Sequence, residues 1–160
     1  MIGSSNDIAA LGSGMHSRSA KFAILDTSVY IDNFRTGRFA FQLLQAPYVI
    51  RCSAVVLHEL LRGARPGLER RFVMDLMNRC QIITPSEAHW IQAGELLNVM
   101  RRRQHYEAHK LRELAFDVLI ALTARSIGAT VITCNETDFQ AIRRHLSFNL
   151  LCWGPPEVRG

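Results

Sequence analysis

Apolar residues fall along the chain in two alternating rhythms. Short runs at Phe22–Asp26, Tyr48–Cys52, Gln81–Thr84, Thr130–Thr133 and Phe148–Cys152 are nearly unbroken, as strands covered on both faces would be. Longer stretches between them space their apolar residues at helical intervals, predicting helices over Ser28–Phe34, Phe39–Gln45, Ala54–Gly63, Gly67–Asn78, Ser86–Arg103, Arg112–Ile127 and Phe139–His145. Strands separated by helices imply crossover connections, hence an α/β domain with a central, mostly parallel five-stranded sheet. Ser53 and Ser86 stand where helix caps belong, and Gly128 stands where the helix before the fourth strand should stop.

Composition narrows this picture without changing it. The 160 residues, 48% of them hydrophobic, suffice for one well-buried core. The domain is read as 21–160, with 1–20 a flexible tail: "MIGSSNDIAALGSGMHSRSA" lacks the basic start and solid apolar centre of a signal peptide. No apolar stretch is long enough to span a membrane. Cys52, Cys80, Cys134 and Cys152 are scattered, with no CxxC pair, which points to reduced thiols and a cytoplasmic location. A net charge of +5 favours a polyanionic partner.

Candidate chemistry lies in the acids. Asp26 ends the first apolar run, where a bare charge is costly, and it is followed at once by the hydroxyls Thr27 and Ser28. Glu59 lies on the helix after the second strand, Asp117 lies within the most apolar helix, and Asp138 follows the fourth strand. Open parallel sheets place their sites beyond the carboxyl ends of the strands, so these acids are expected to meet there. Several carboxylates sharing one edge repel one another unless a divalent cation offsets them, and magnesium or manganese suits an all-oxygen set.

The segments "ILDTSVYID", "SAVVLHELLRGA", "AFDVLIALTARSIGATVIT" and "TCNETDF" together resemble the successive motifs of the PIN-domain ribonucleases, the VapC-type toxins among them, over most of Phe22 to Trp153. The resemblance implies a PIN-like three-layer α/β/α fold and a metal-dependent endoribonuclease using Mg2+, with Mn2+ able to substitute. It carries over Asp26, Glu59 and Asp117 as the acids, Thr27 or Ser28 as the hydroxyl beside the first acid, and Thr133 as the hydroxyl before the last motif. Where many PIN domains have an aspartate two residues after that threonine, this chain has Asn135, with Asp138 three further on, so both are candidates for the fourth ligand. A metal-activated water would leave a 5′-phosphate and a 3′-hydroxyl on RNA. An antitoxin lying across the site and a homodimer are the implied protein partners. A PIN nuclease of RNA processing, or a PIN fold that binds RNA or protein without cutting, are the competing readings.

Other features are weaker. Glu113, one turn before Asp117, is either an accessory ligand or an exposed acid. "RRRQHYEAHKLR" offers Arg101, Arg102 and Arg103 for RNA phosphates, or is a solvated helix end, and "LRGARPGLERR" admits the same reading. His105 and His109 have the spacing of a helical zinc pair but no third ligand, and read as surface residues. Trp90 and Trp153 read as packing residues.

Overall fold

The computed structural model describes residues 19–154, so most of the expected tail lies outside the described residues. Five strands, β1 (Lys21–Leu25), β2 (Tyr48–Ser53), β3 (Ile82–Ile83), β4 (Thr130–Thr133) and β5 (Asn149–Cys152), form one sheet in the order β3-β2-β1-β4-β5. Every pairing is parallel. The helices are α1 (Thr27–Thr36), α2 (Ala40–Gln45), α3 (Ala54–Gly63), α4 (Leu68–Arg79), α5 (Glu87–Gln104), α6 (Ala108–Ser126) and α7 (Glu136–Arg143). Right-handed crossovers put helices on both faces of such a sheet, which is the expected three-layer arrangement.

The strand order decides where a site can be. From central β1 the chain moves outward through β2 to β3, then crosses back to lay β4 on the other side of β1. The connections leaving β1 and β4 therefore diverge, opening a crevice at their carboxyl ends. Ala23, Ile24, Val131 and Ile132 are fully buried beneath it, and so are Leu114, Val118 and Ile120 of α6. Each of the Val, Leu and Ile side chains among them contributes about 1.5–3 kcal/mol of burial free energy, so the floor of the crevice is rigid.

Local signals explain the element ends. The Ser53 hydroxyl accepts from the Val55 amide at 3.2 Å, Ser86 closes a capping box with His89, and Gly128 takes φ 65° after α6. Two helices start earlier than the apolar pattern predicts. The first turn of α6 is polar, so its periodicity is silent from Ala108 to Leu111. Helix α7 begins at Glu136 rather than Phe139: Asp138 lies inside the first turn, and Asn135 holds the cap position. The chain breaks between α5 and α6 with His105 at φ 55°, so His105 and His109 do not share a helix.

Candidate active site

Beyond β1 and β4 lies an open cleft of about 560 Å3, lined by Asp26, Thr27, Ser28, Glu59, Arg62, His109, Arg112, Glu113, Phe116, Asp117, Asn135 and Asp138. Four elements bring the acids there: Asp26 from the end of β1, Glu59 from α3, Asp117 from α6 and Asp138 from α7.

The hydroxyls hold the first two acids. Asp26 is only 4% exposed, and its amide donates to the Ile132 carbonyl at 2.8 Å, tying the acid to β4. Ser28 and Thr133 donate to Asp26 Oδ2 at 2.6 and 2.9 Å. Both hydroxyls are fixed in turn: Ser28 Oγ accepts from the Cys134 amide at 3.0 Å, and Thr133 Oγ1 accepts from the Asn135 amide at 2.9 Å. Thr27 instead donates to Glu59 Oε2 at 2.6 Å. The two candidate hydroxyls after Asp26 thus serve different acids. No hydrogen bond from a described residue reaches Asp26 Oδ1, Glu59 Oε1 or either Asp117 oxygen.

Asp138 is held differently. Asn135 Nδ2 donates to its Oδ2 at 2.9 Å, and Lys110 Nζ lies 2.7 Å from its Oδ1. Both of its oxygens are therefore engaged. The hydrogen bond to Asp138 raises the Lys110 ammonium above its ordinary pKa. Arg62, His109, Lys110 and Arg112 lie within the two basic segments read from the sequence as candidate phosphate binders, but none was singled out there as a neighbour of the acids. One signal was present: Lys110, Glu113 and Asp117 are spaced i, i+3, i+7 and share a helix face.

Electrostatics set Asp117 apart. Burial first, then the charges of Asp26, Glu59 and Asp138, push its carboxyl from 3.8 up to about 8, with Lys110 opposing. Burial likewise raises Glu59, against the hydrogen bond from Thr27. Among the described residues no three Asp, Glu, His or Cys side chains already stand at ligating distance of one point. The open oxygens of Asp26, Glu59 and Asp117 are hard donors of the kind a divalent cation takes.

Arg101, Arg102 and Arg103 are exposed at the end of α5 and do not line the cleft. The basic run divides at the helix break, and its second half, His109 to Arg112, is the part that reaches the acids. Trp90 is 55% exposed, so it is not a core residue, whereas Trp153 packs against buried Phe39 with ring centroids 5.3 Å apart.

The fold and the cleft define a class: parallel α/β domains whose acids gather where the strand order reverses. The chain belongs to the PIN domain family, whose sequence model matches residues 23–144. Among solved structures it is similar to DNA-bound VapBC from Salmonella typhimurium, at 22% identity and TM-score 0.59 over 84% of this chain and 98% of that one. It is also similar to VapBC2 from Rickettsia felis bound to a promoter DNA fragment, at 23% identity and TM-score 0.61 over 82% and 98%. VapBC-1 from nontypeable Haemophilus influenzae gives 22% and 0.63 over 82% and 98%. At these identities the likeness is one of fold. A comparison with curated proteins finds no match.

Proposed function

We propose that this protein is a metal-dependent endoribonuclease, the toxin of a toxin–antitoxin pair, which hydrolyses RNA phosphodiester bonds in the cytoplasm. The observation that carries the reading is the convergence of Asp26, Glu59, Asp117 and Asp138 on one cleft, with Asp117 pushed up to about 8 by burial and by its neighbours. A domain tolerates such an arrangement for function rather than stability.

Asp26 and Asp117 are the main candidates to hold Mg2+ or Mn2+, with Glu59 and Asp138 beside them. When bound, such an ion supplies an activated water and offsets charge on the scissile phosphate. The residues of the chain do the positioning. Ser28 and Thr133 clamp Asp26 Oδ2 and leave Oδ1 for the ion, Thr27 orients Glu59, and Asn135 orients Asp138. This arrangement favours Asp138 as the fourth acid and Asn135 as its support. Arg62, Arg112 and His109 at the rim suit the flanking phosphates, and guanidinium groups bind these bidentately. Glu113 faces the same cleft but is 63% exposed and paired with Lys110, which fits an accessory residue.

Support for an antitoxin comes from the VapBC complexes that share the fold and from a neighbouring apolar groove. That groove, about 190 Å3, is walled by Tyr30, Phe34, Leu60 and Phe72 and also touches Glu59. A partner helix seated there can direct a basic side chain at the acids. Trp90 and Ile91, exposed on α5, offer an apolar patch for a second copy in a homodimer. Among the described residues no helix is long and apolar enough to cross a membrane.

The test is cleavage of a fluorescently quenched single-stranded RNA by wild type and Asp117→Asn, in Mn2+ and in chelator. Cleavage by wild type in metal alone supports the reading. Equal cleavage by Asp117→Asn, or in chelator, refutes it.

A further inference from the structure

Lys110, in the first turn of α6, pairs with the cleft residue Asp138 at 2.7 Å. Its ammonium also lies 3.6 Å from Glu113 Oε2, one turn along the same helix. The side chains differ in freedom: Asp138 is 15% exposed, Lys110 30% and Glu113 63%. Asp138 is thus the fixed member, Glu113 the solvated one, and Lys110 a flexible arm between them.

The hydrogen bonds of Asp138 make this arrangement more than a surface ion pair. Asn135 donates to Oδ2 and the Lys110 ammonium lies 2.7 Å from Oδ1, so a cation recruiting this carboxylate through Oδ1 meets a positive charge beside that oxygen. Asn135 is neutral, stands at the N-cap position of α7 and has its backbone amide held by the Thr133 hydroxyl, so it is the harder to move. Lys110 is charged and carried on a flexible four-carbon stem, and a divalent ion repels it. Its second acceptor, Glu113, is already within reach.

We infer that Lys110 is a displaceable internal counter-ion, which holds Asp138 while the cleft is without metal and moves to Glu113 when a divalent ion enters. This rests on the metal-dependent reading above and gives Lys110 and Glu113 a positioning role within it. Lys110 lowers the affinity of the cleft for metal while keeping the acids together in its absence.

The experiment is calorimetric titration of the full chain with Mn2+ for wild type, Lys110→Met, Lys110→Arg and Glu113→Gln, with the double variant Lys110→Met/Glu113→Gln. Lys110→Met should bind Mn2+ about five- to tenfold more tightly than wild type, because the competing ammonium is gone. Lys110→Arg, which keeps the charge, should stay within about twofold of wild type. Glu113→Gln should weaken Mn2+ binding more in wild type than in the Lys110→Met background, since only wild type needs the second acceptor. Thermal melts of the metal-free proteins should show Lys110→Met less stable than wild type. Equal or weaker Mn2+ binding by Lys110→Met, with wild type binding normally, overturns the counter-ion role and leaves the metal site standing. Absence of Mn2+ binding in wild type overturns both.

Discussion

Replacing Asp117 by asparagine should make the metal-free protein more stable. The Asp117 carboxyl is pushed from 3.8 up to about 8 by burial and by three neighbouring acids. A group whose folded pKa lies above its unfolded value contributes stability that is complete below the unfolded pKa and is lost as pH rises through the folded one. For Asp117 that loss runs from about pH 4 to about pH 8. Each pKa unit is worth about 1.4 kcal/mol, so the full shift would cost about 5 kcal/mol at pH 7.5. The carboxyl lines an open cleft and keeps contact with water, which reduces the realised cost to on the order of 2–4 kcal/mol. Asparagine keeps the size and removes the charge. For a domain of this length that gain corresponds to a melting temperature roughly 5–15 °C higher. Thermal melts in chelator at pH 4.5 and 7.5 measure it. The variant should exceed wild type at pH 7.5 and approach it at pH 4.5. Equal or lower stability at pH 7.5, or a gap that ignores pH, would refute the electrostatic account of the cleft.

Metal binding should carry the opposite pH dependence: because Asp117 must lose its proton to ligate, Mn2+ affinity measured by calorimetry should climb between pH 6 and about pH 8 and flatten above it. A flat profile would remove Asp117 from the ligand set. Asp138→Ala should reduce RNA cleavage more than Asn135→Ala, since the asparagine acts through the aspartate; the reverse order in a kcat assay would exchange their roles. Changing Arg62 and Arg112 to glutamine should flatten the salt dependence of RNA binding by about one unit of slope for each phosphate no longer neutralised, and changing Arg101, Arg102 and Arg103 should flatten it less. A larger effect from the second set would move the RNA track to the end of α5.

The main architecture was legible because it rests on strong local signals. Short apolar runs such as Phe22–Leu25 and Thr130–Thr133 fit interior strands, and Ser53, Ser86 and Gly128 mark their helices by side-chain and backbone chemistry that needs no tertiary context. The acids were legible for a related reason. Asp26 and Asp117 interrupt apolar surroundings, where an uncompensated charge is costly. The division of labour among the hydroxyls was not legible. Thr27 and Ser28 are adjacent in sequence, yet the turn into α1 sends one to Glu59 and the other to Asp26. Arg101 to Arg112 read as one basic run because, although the apolar pattern ends a helix at Arg103, charge alone does not say which part of the run faces the acids. Only the three-dimensional path separates the exposed arginines from Lys110, which the first turn of α6 carries onto Asp138.

Central to this account is hydrolysis by water at an acidic metal cleft, and the ends of the RNA fragments test it most directly. Wild-type protein, RNA and Mn2+ should yield fragments bearing 5′-phosphates and 3′-hydroxyls, with none formed by Asp117→Asn or in chelator. Fragments ending in 2′,3′-cyclic phosphates, formed equally without metal, would mean that the RNA's own hydroxyl attacks, and would contradict the account.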